Sequence, residues 1–111
     1  MELELNIYNK KEIVKTYKTD TYDLMFGTVE DFLNLFDVDN LKTGSDTELA
    51  MTVVKSLPTG MGTIKVLLKD VFEGVTDEEL KNTKVKEITN VLVNIIKSSI
   101  LEIGKGVDPK N

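Results

Sequence analysis

Asp77, Glu78 and Glu79 stand together in a chain of 111 residues that has no histidine and no cysteine, and they are the first side chains to test for chemistry. Paired carboxylates can serve as general acid and base on a glycoside or hold magnesium. These three, however, follow Thr76 in the T-x-x-E spacing of a reciprocal helix cap, in a first turn where the positive end of the helix dipole favours acids. Capping accounts for them fully. Asp37 to Glu48 is the second candidate, with acids at positions one and three and glutamate at position twelve, as in a calcium loop. Its middle fails: Leu41 sits where position five must offer oxygen, and Lys42 where position six requires glycine. Starting the frame at Asp39 restores Gly44 at position six but puts Leu41 at three and Ala50 at twelve. Gly60-Met61-Gly62-Thr63 has the glycines of a phosphate cradle without the spacing or the lysine of one.

Without Cys or His the commonest general base, the thiolate nucleophile and the usual transition-metal ligands are missing together. The expectation is a protein that is not an enzyme and uses no metal and no cofactor. Asp and Glu number 19 against 14 Lys and Arg, for a formal charge of -5, so a polyanion is repelled and nucleic acid is not an expected partner. No apolar run approaches the roughly 20 residues of a membrane span. Glu2 and Glu4 occupy the place of a secretory signal's basic stretch, and with the absence of cysteine they predict a cytoplasmic location.

Periodicity then supplies the elements. Leu3, Leu5 and Ile7 alternate with Glu4, Asn6 and Tyr8, which is a strand period, and β-branched Ile13, Val14 and Thr16 follow a turn at Asn9 to Lys11. From Tyr22 the apolar spacing changes to three and four, through Met25, Phe26, Val29, Phe32, Leu33 and Phe36, and predicts a helix with Gly27 weakening its middle. Met25, Phe26, Phe32, Phe36 and Phe72 read as core. Ser45 and Glu48 form an S-x-x-E cap for a second helix that should stop near Pro58, leaving residues 58–62 as a loop. Ile64, Leu67, Leu68, Val71 and Phe72 mark a third helix ending at Gly74, a short fourth follows Thr76, and a long fifth runs from Val85 to about Gly104. The expected architecture is α+β and mainly α: an N-terminal β-hairpin (1–18), a helical core of four to five helices (20–104) and a flexible tail (105–111) in a single domain, 1–111.

Across Val29 to Ile100 the chain also resembles the tail assembly chaperones of long-tailed bacteriophages, the siphophage and prophage group of low-GC Gram-positive hosts. The stretches that carry the likeness are VEDFLNLFDVDNL, TVVKSLP and IKVLLKDVFEGVTDEELKNTKVKEITNVLVNIIK. They are packing and capping residues, and no catalytic residue is implied. The resemblance implies a cytoplasmic assembly factor of the bacterial host, absent from the mature virion, that coats the tape measure protein and recruits tail tube protein. It also implies a longer product made by ribosomal frameshifting near the end of the reading frame.

Such a factor needs many weak, reversible contacts along a long helical partner, and repeating a small unit along a rod supplies avidity. Self-association as a homo-oligomer is therefore expected, through the hairpin face (Leu3, Leu5, Ile7) or the final helix (Ile96, Ile100, Ile103). The alternative arrangement, in which hairpin and helix cover each other, fits the sequence equally well. Two other functions compete: a monomeric acidic helical adaptor or regulatory binding module, and a magnesium-dependent catalyst using Asp37, Asp39 and Asp46, for which no spacing speaks.

Overall fold

The computed structural model describes residues 2–36 and 45–106, with the backbone alone at 22 and 100–106. Strands β1 (Glu2–Asn9) and β2 (Glu12–Asp20) form an antiparallel hairpin. A short 3-10 turn, Thr21–Asp23, leads to α1 (Phe26–Leu33). Helices α2 (Asp46–Val71), α3 (Asp77–Lys81) and α4 (Val85–Gly106) complete the described chain. The protein is thus a hairpin followed by four helices among the described residues, the α+β and mainly helical class that the periodicity predicted.

The hairpin closes through Lys10 and Lys11, and Lys10 takes a positive φ of 59° that a two-residue turn of this kind demands at its first position. Ile7 pairs with Lys15 but Tyr8 with Ile13, so Val14 is the extra residue of a bulge. Leu3, Leu5 and Ile7 all face inward and are buried, as the strand period required. They lie on α4, whose Val91, Leu92, Ile95 and Ile96 are buried, and α4 also packs against α1 and α2.

Both predicted capping boxes are present. Ser45 Oγ accepts from the Glu48 backbone N–H at 3.2 Å, and Thr76 Oγ1 accepts from Glu79 N–H at 3.1 Å. Gly74 has φ +92° just beyond α2, where a left-handed residue releases the chain from the helix.

The predicted loop at 58–62 is instead helix. Pro58 lies inside α2, which runs unbroken for 26 residues, about 39 Å at the usual rise. A proline costs its helix one hydrogen bond and a steric clash, about 3 kcal/mol in an exposed interior. What overrides it is one buried seam: Leu49, Val53, Gly60, Ile64, Leu67 and Val71 stay on one face, with half-buried Leu57 between them, and the phase does not slip across the proline. Pro58 itself is exposed, so the carbonyl it leaves unpaired can turn to water. Gly60 is buried because Leu35 lies over it, 2.8 Å from where a Cβ would stand.

The first helix is also shorter than expected. The three-and-four spacing from Tyr22 resolves into the 3-10 turn and then α1 from Phe26, so Gly27 falls in the first turn. Phe32 and Phe72 are core, and Phe36 is half-buried edge-on to Phe32. Met25 and Phe26, read as core from the same spacing, are instead 71% and 75% exposed. Helix α4 continues through Gly106, past the expected start of the tail, and the remainder of that tail lies outside the described residues.

Three substitutions test this packing. Gly62 is an exposed mid-helix glycine with nothing near its missing Cβ, so Gly62→Ala is expected to raise the unfolding free energy by about 1 kcal/mol in urea titration. Gly60→Ala should gain less, because its Cβ must displace Leu35. Thr89 Oγ1 is buried without a hydrogen-bond partner, and isosteric Thr89→Val should stabilise by about 1 kcal/mol.

Candidate functional site

The side chains expected to make a self-association face are used inside the single chain. Leu3, Leu5 and Ile7 are buried beneath the hairpin, and Ile96 is wholly buried on α4. Their burial has a simple cause: a two-stranded hairpin needs a surface to lie on, and α4 supplies it. Hairpin and final helix cover each other, as the alternative reading had it. The side chains of Ile100 and Ile103 lie outside the described residues, as do Asp37 and Asp39 and the first eight residues of the loop tested for calcium.

Two tyrosines and two glutamates clasp the hairpin to the helices. Tyr17 Oη donates to Glu79 at 2.6 Å, and Lys15 stands 3.4 Å from the same carboxylate. Tyr8 Oη and Asn6 Nδ2 both donate to Glu87, the latter at 2.8 Å. Tyr8 also gives its backbone N–H to the Asn82 carbonyl at 2.8 Å, which ties the β1 edge to the α3–α4 turn. Glu79 therefore does two jobs, closing the α3 cap and receiving Tyr17, and its pKa is lowered by the Tyr17 hydrogen bond first, then by the Thr76 N–H and Lys15. The sequence pattern showed the cap alone, because nothing in spacing links position 17 to position 79.

The exposed surface carries a feature that sequence reasoning missed. On the outer side of α2, Met51, Val54, Pro58 and Met61 recur at spacings of three, four and three, a seam like that of a coiled coil. Met51 is 54% exposed, Val54 48% and Met61 42%, so this second apolar stripe of α2 is left uncovered by the described residues. Its signal was present, but placing a loop at 58–62 cut the stripe in two.

At its C-terminal end the seam opens into a recess of about 310 Å³ between α2, α3 and the start of α4. Leu57, Ile64, Leu68, Leu80 and Ile88 line it, with Met61 and exposed Val85 at the mouth. Lys65 and Lys81 also line it, and neither has an ion-pair partner among the described residues. The one acid in its wall, Asp77, is held by Lys69 at 2.7 Å. That hydrogen bond is the main cause of the lowered Asp77 pKa, with the charges of Lys65 and Lys81 adding to it. A wider groove of about 900 Å³ between α1 and α2 has an acidic character, with Asp31 and Asp70 in its walls and Met25 and Val66 at its edge.

No group of three or more acids that could hold a metal ion occurs among the described residues. Asp46, one of the acids weighed for magnesium, is paired with Lys97 at 3.2 Å. No helix among the described residues is long and apolar enough to cross a membrane. Comparison with known protein families, curated proteins and solved structures finds no match to this chain.

Two outcomes follow from the clasped hairpin. Leu5→Asp is expected to abolish cooperative unfolding instead of dissociating an oligomer, since even Leu→Ala in a core costs about 2–5 kcal/mol and a buried unpaired charge costs more; near-ultraviolet circular dichroism would read it. Glu79 and Asp77 have depressed pKa values, so their contribution is complete above the ordinary carboxylate range and lost as pH falls through their folded values. The urea midpoint should therefore drop steadily on acidification below about pH 5, with a shallower drop in Tyr17→Phe.

Proposed function

We propose that this protein is a non-catalytic assembly chaperone of a long-tailed bacteriophage or prophage, acting in the cytoplasm of the bacterial host and absent from the mature virion. Its partners in this reading are the tape measure protein, which it coats, and the tail tube protein, which it recruits. The resemblance across Val29 to Ile100 supplies the identity of the partner. The observation that supports the mode of action is the exposed seam of Met51, Val54, Pro58 and Met61 on α2.

A stripe at alternating spacings of three and four presents itself to another helix, and an amphipathic helix laid in it would be held by its own apolar positions. Methionine suits such a task. Its flexible, polarisable side chain repacks against differing partners, and methionine-rich surfaces are characteristic of proteins that bind many sequences. A tape measure protein is a long succession of non-identical helical segments, so tolerance matters more than tight fit. The net charge of -5 keeps such an apolar-striped protein dispersed.

A second reading, a one-to-one acidic helical adaptor, has one observation in its favour: the side chains first expected to join copies are buried within the monomer. Light-scattering mass against concentration separates the two, because a coating chaperone multimerises on its rod.

Co-expression with the tape measure protein tests the main reading. The coding DNA beyond the Asn111 codon should run into a very long helical reading frame, and the wild-type chain should keep fragments of that product soluble. Met51→Glu, Val54→Glu and Met61→Glu together should weaken binding at least about tenfold with little change in stability, since substitutions at exposed sites usually stay within about 0.5 kcal/mol. Absence of such a frame, or equal binding by the triple variant, would overturn the reading.

A further inference from the structure

The recess at the end of the α2 seam carries more basic than acidic charge on an acidic protein. Lys65 and Lys81 line it with Asp77 as the one acid in its wall, and Asp77 is already engaged by Lys69. Lys65 and Lys81 act on Asp77 at longer range, but neither forms an ion pair of its own among the described residues, and they line a pocket together with Leu57, Ile64, Leu68, Leu80 and Ile88. An apolar lining beside two ammonium groups that share one already engaged carboxylate is complementary to a large apolar side chain flanked by a carboxylate.

The volume narrows the occupant further. At about 310 Å³ the recess is at the lower limit of pockets that enclose whole ligands, so it takes one or two side chains and not a helix. The seam leads into it, since Met61 belongs to both. A helix lying along Met51, Val54 and Met61 would bring a side chain of one terminal turn to the recess.

We propose that the recess is an anchor for an acid-flanked apolar residue, Phe or Leu with Glu or Asp within one helical turn, on an amphipathic helical partner segment. This rests on the reading of α2 as a helix-binding face and adds the chemistry that selects and orients the segment. The seam supplies tolerant apolar contact in either direction. The lysines at one end break that symmetry, because the partner's acid must lie at the recess end.

The test uses the full chain and three fluorescein-labelled synthetic helical peptides. All carry the same Leu stripe and a Phe near one end, and they differ in having two Glu, two Gln or two Lys beside that Phe. Fluorescence anisotropy at low salt should give affinity in the order Glu, Gln, Lys, with the Glu peptide about fivefold tighter than the Gln peptide, as two exposed ion pairs provide. The preference should shrink in 0.5 M salt, a concentration at which the Debye length is only about 4–5 Å. Lys65→Glu with Lys81→Glu should invert the order, and an unchanged thermal midpoint would show that the variant is folded.

Equal affinity for the Glu and Gln peptides, or a preference for Glu that survives the double charge reversal, would overturn the anchor while leaving the helix-binding reading in place. Failure of all three peptides to bind would overturn both.

Discussion

A two-stranded hairpin has too little apolar surface to stand alone in water, and the way this one is held down determines most of the molecule. Its inward face, Leu3, Leu5 and Ile7, needs a broad apolar surface, and α4 gives it. Once α4 serves β1, it must meet α1 and α2 with what remains of its buried surface, Val91 to Ile96 among it. The polar contacts follow from this packing. Tyr8 and Tyr17 can reach Glu87 and Glu79 because the apolar face already fixes the hairpin's height over the helices. Each hydrogen bond spans more than sixty residues of sequence and closes the hairpin onto a helix start.

That dependence explains which parts of the fold were legible. The strand period at Leu3, Leu5 and Ile7, the two capping boxes and the glycine at 74 are local, and each is set by neighbours within a few residues. They appear in the structure where spacing put them. Pro58 was read by the same local logic and misled it, because proline's preference is worth about 3 kcal/mol while the seam from Leu49 to Val71 acts along the whole helix. The unbroken phase of that seam is present in the sequence, and over 26 residues it outweighs a single local breaker. Met25 and Phe26 illustrate the opposite limit, since spacing shows that residues share a face but not that anything covers it. The clasps Tyr17–Glu79 and Tyr8–Glu87 were not legible at all, being consequences of tertiary placement.

The same helix that overrides its proline has two apolar faces, and this is the least economical feature of the fold. One face is fully occupied by the core; the other leaves Met51, Val54 and Met61 in water. Burying them would require a further helix that the described chain does not have. An acidic body around an apolar stripe resolves the conflict between having the stripe and remaining dispersed, because like charge opposes the non-specific contact that the stripe invites.

Pro58 and Gly62 belong to this outer face, and their position there bears on its use. Neither serves the core: Pro58 is exposed, and Gly62 has open space where a side chain would be. Both weaken the helix in the C-terminal part of its exposed stripe, Pro58 within it and Gly62 just past Met61, where alanine would be the stabilising choice. A small residue next to Met61 lets a second backbone come close, and a proline leaves one carbonyl free on the exposed side, available to a donor from outside. The stability given up along this stretch of α2 is thus located where a partner would dock and nowhere along its buried seam except at Gly60, whose bare backbone Leu35 already covers.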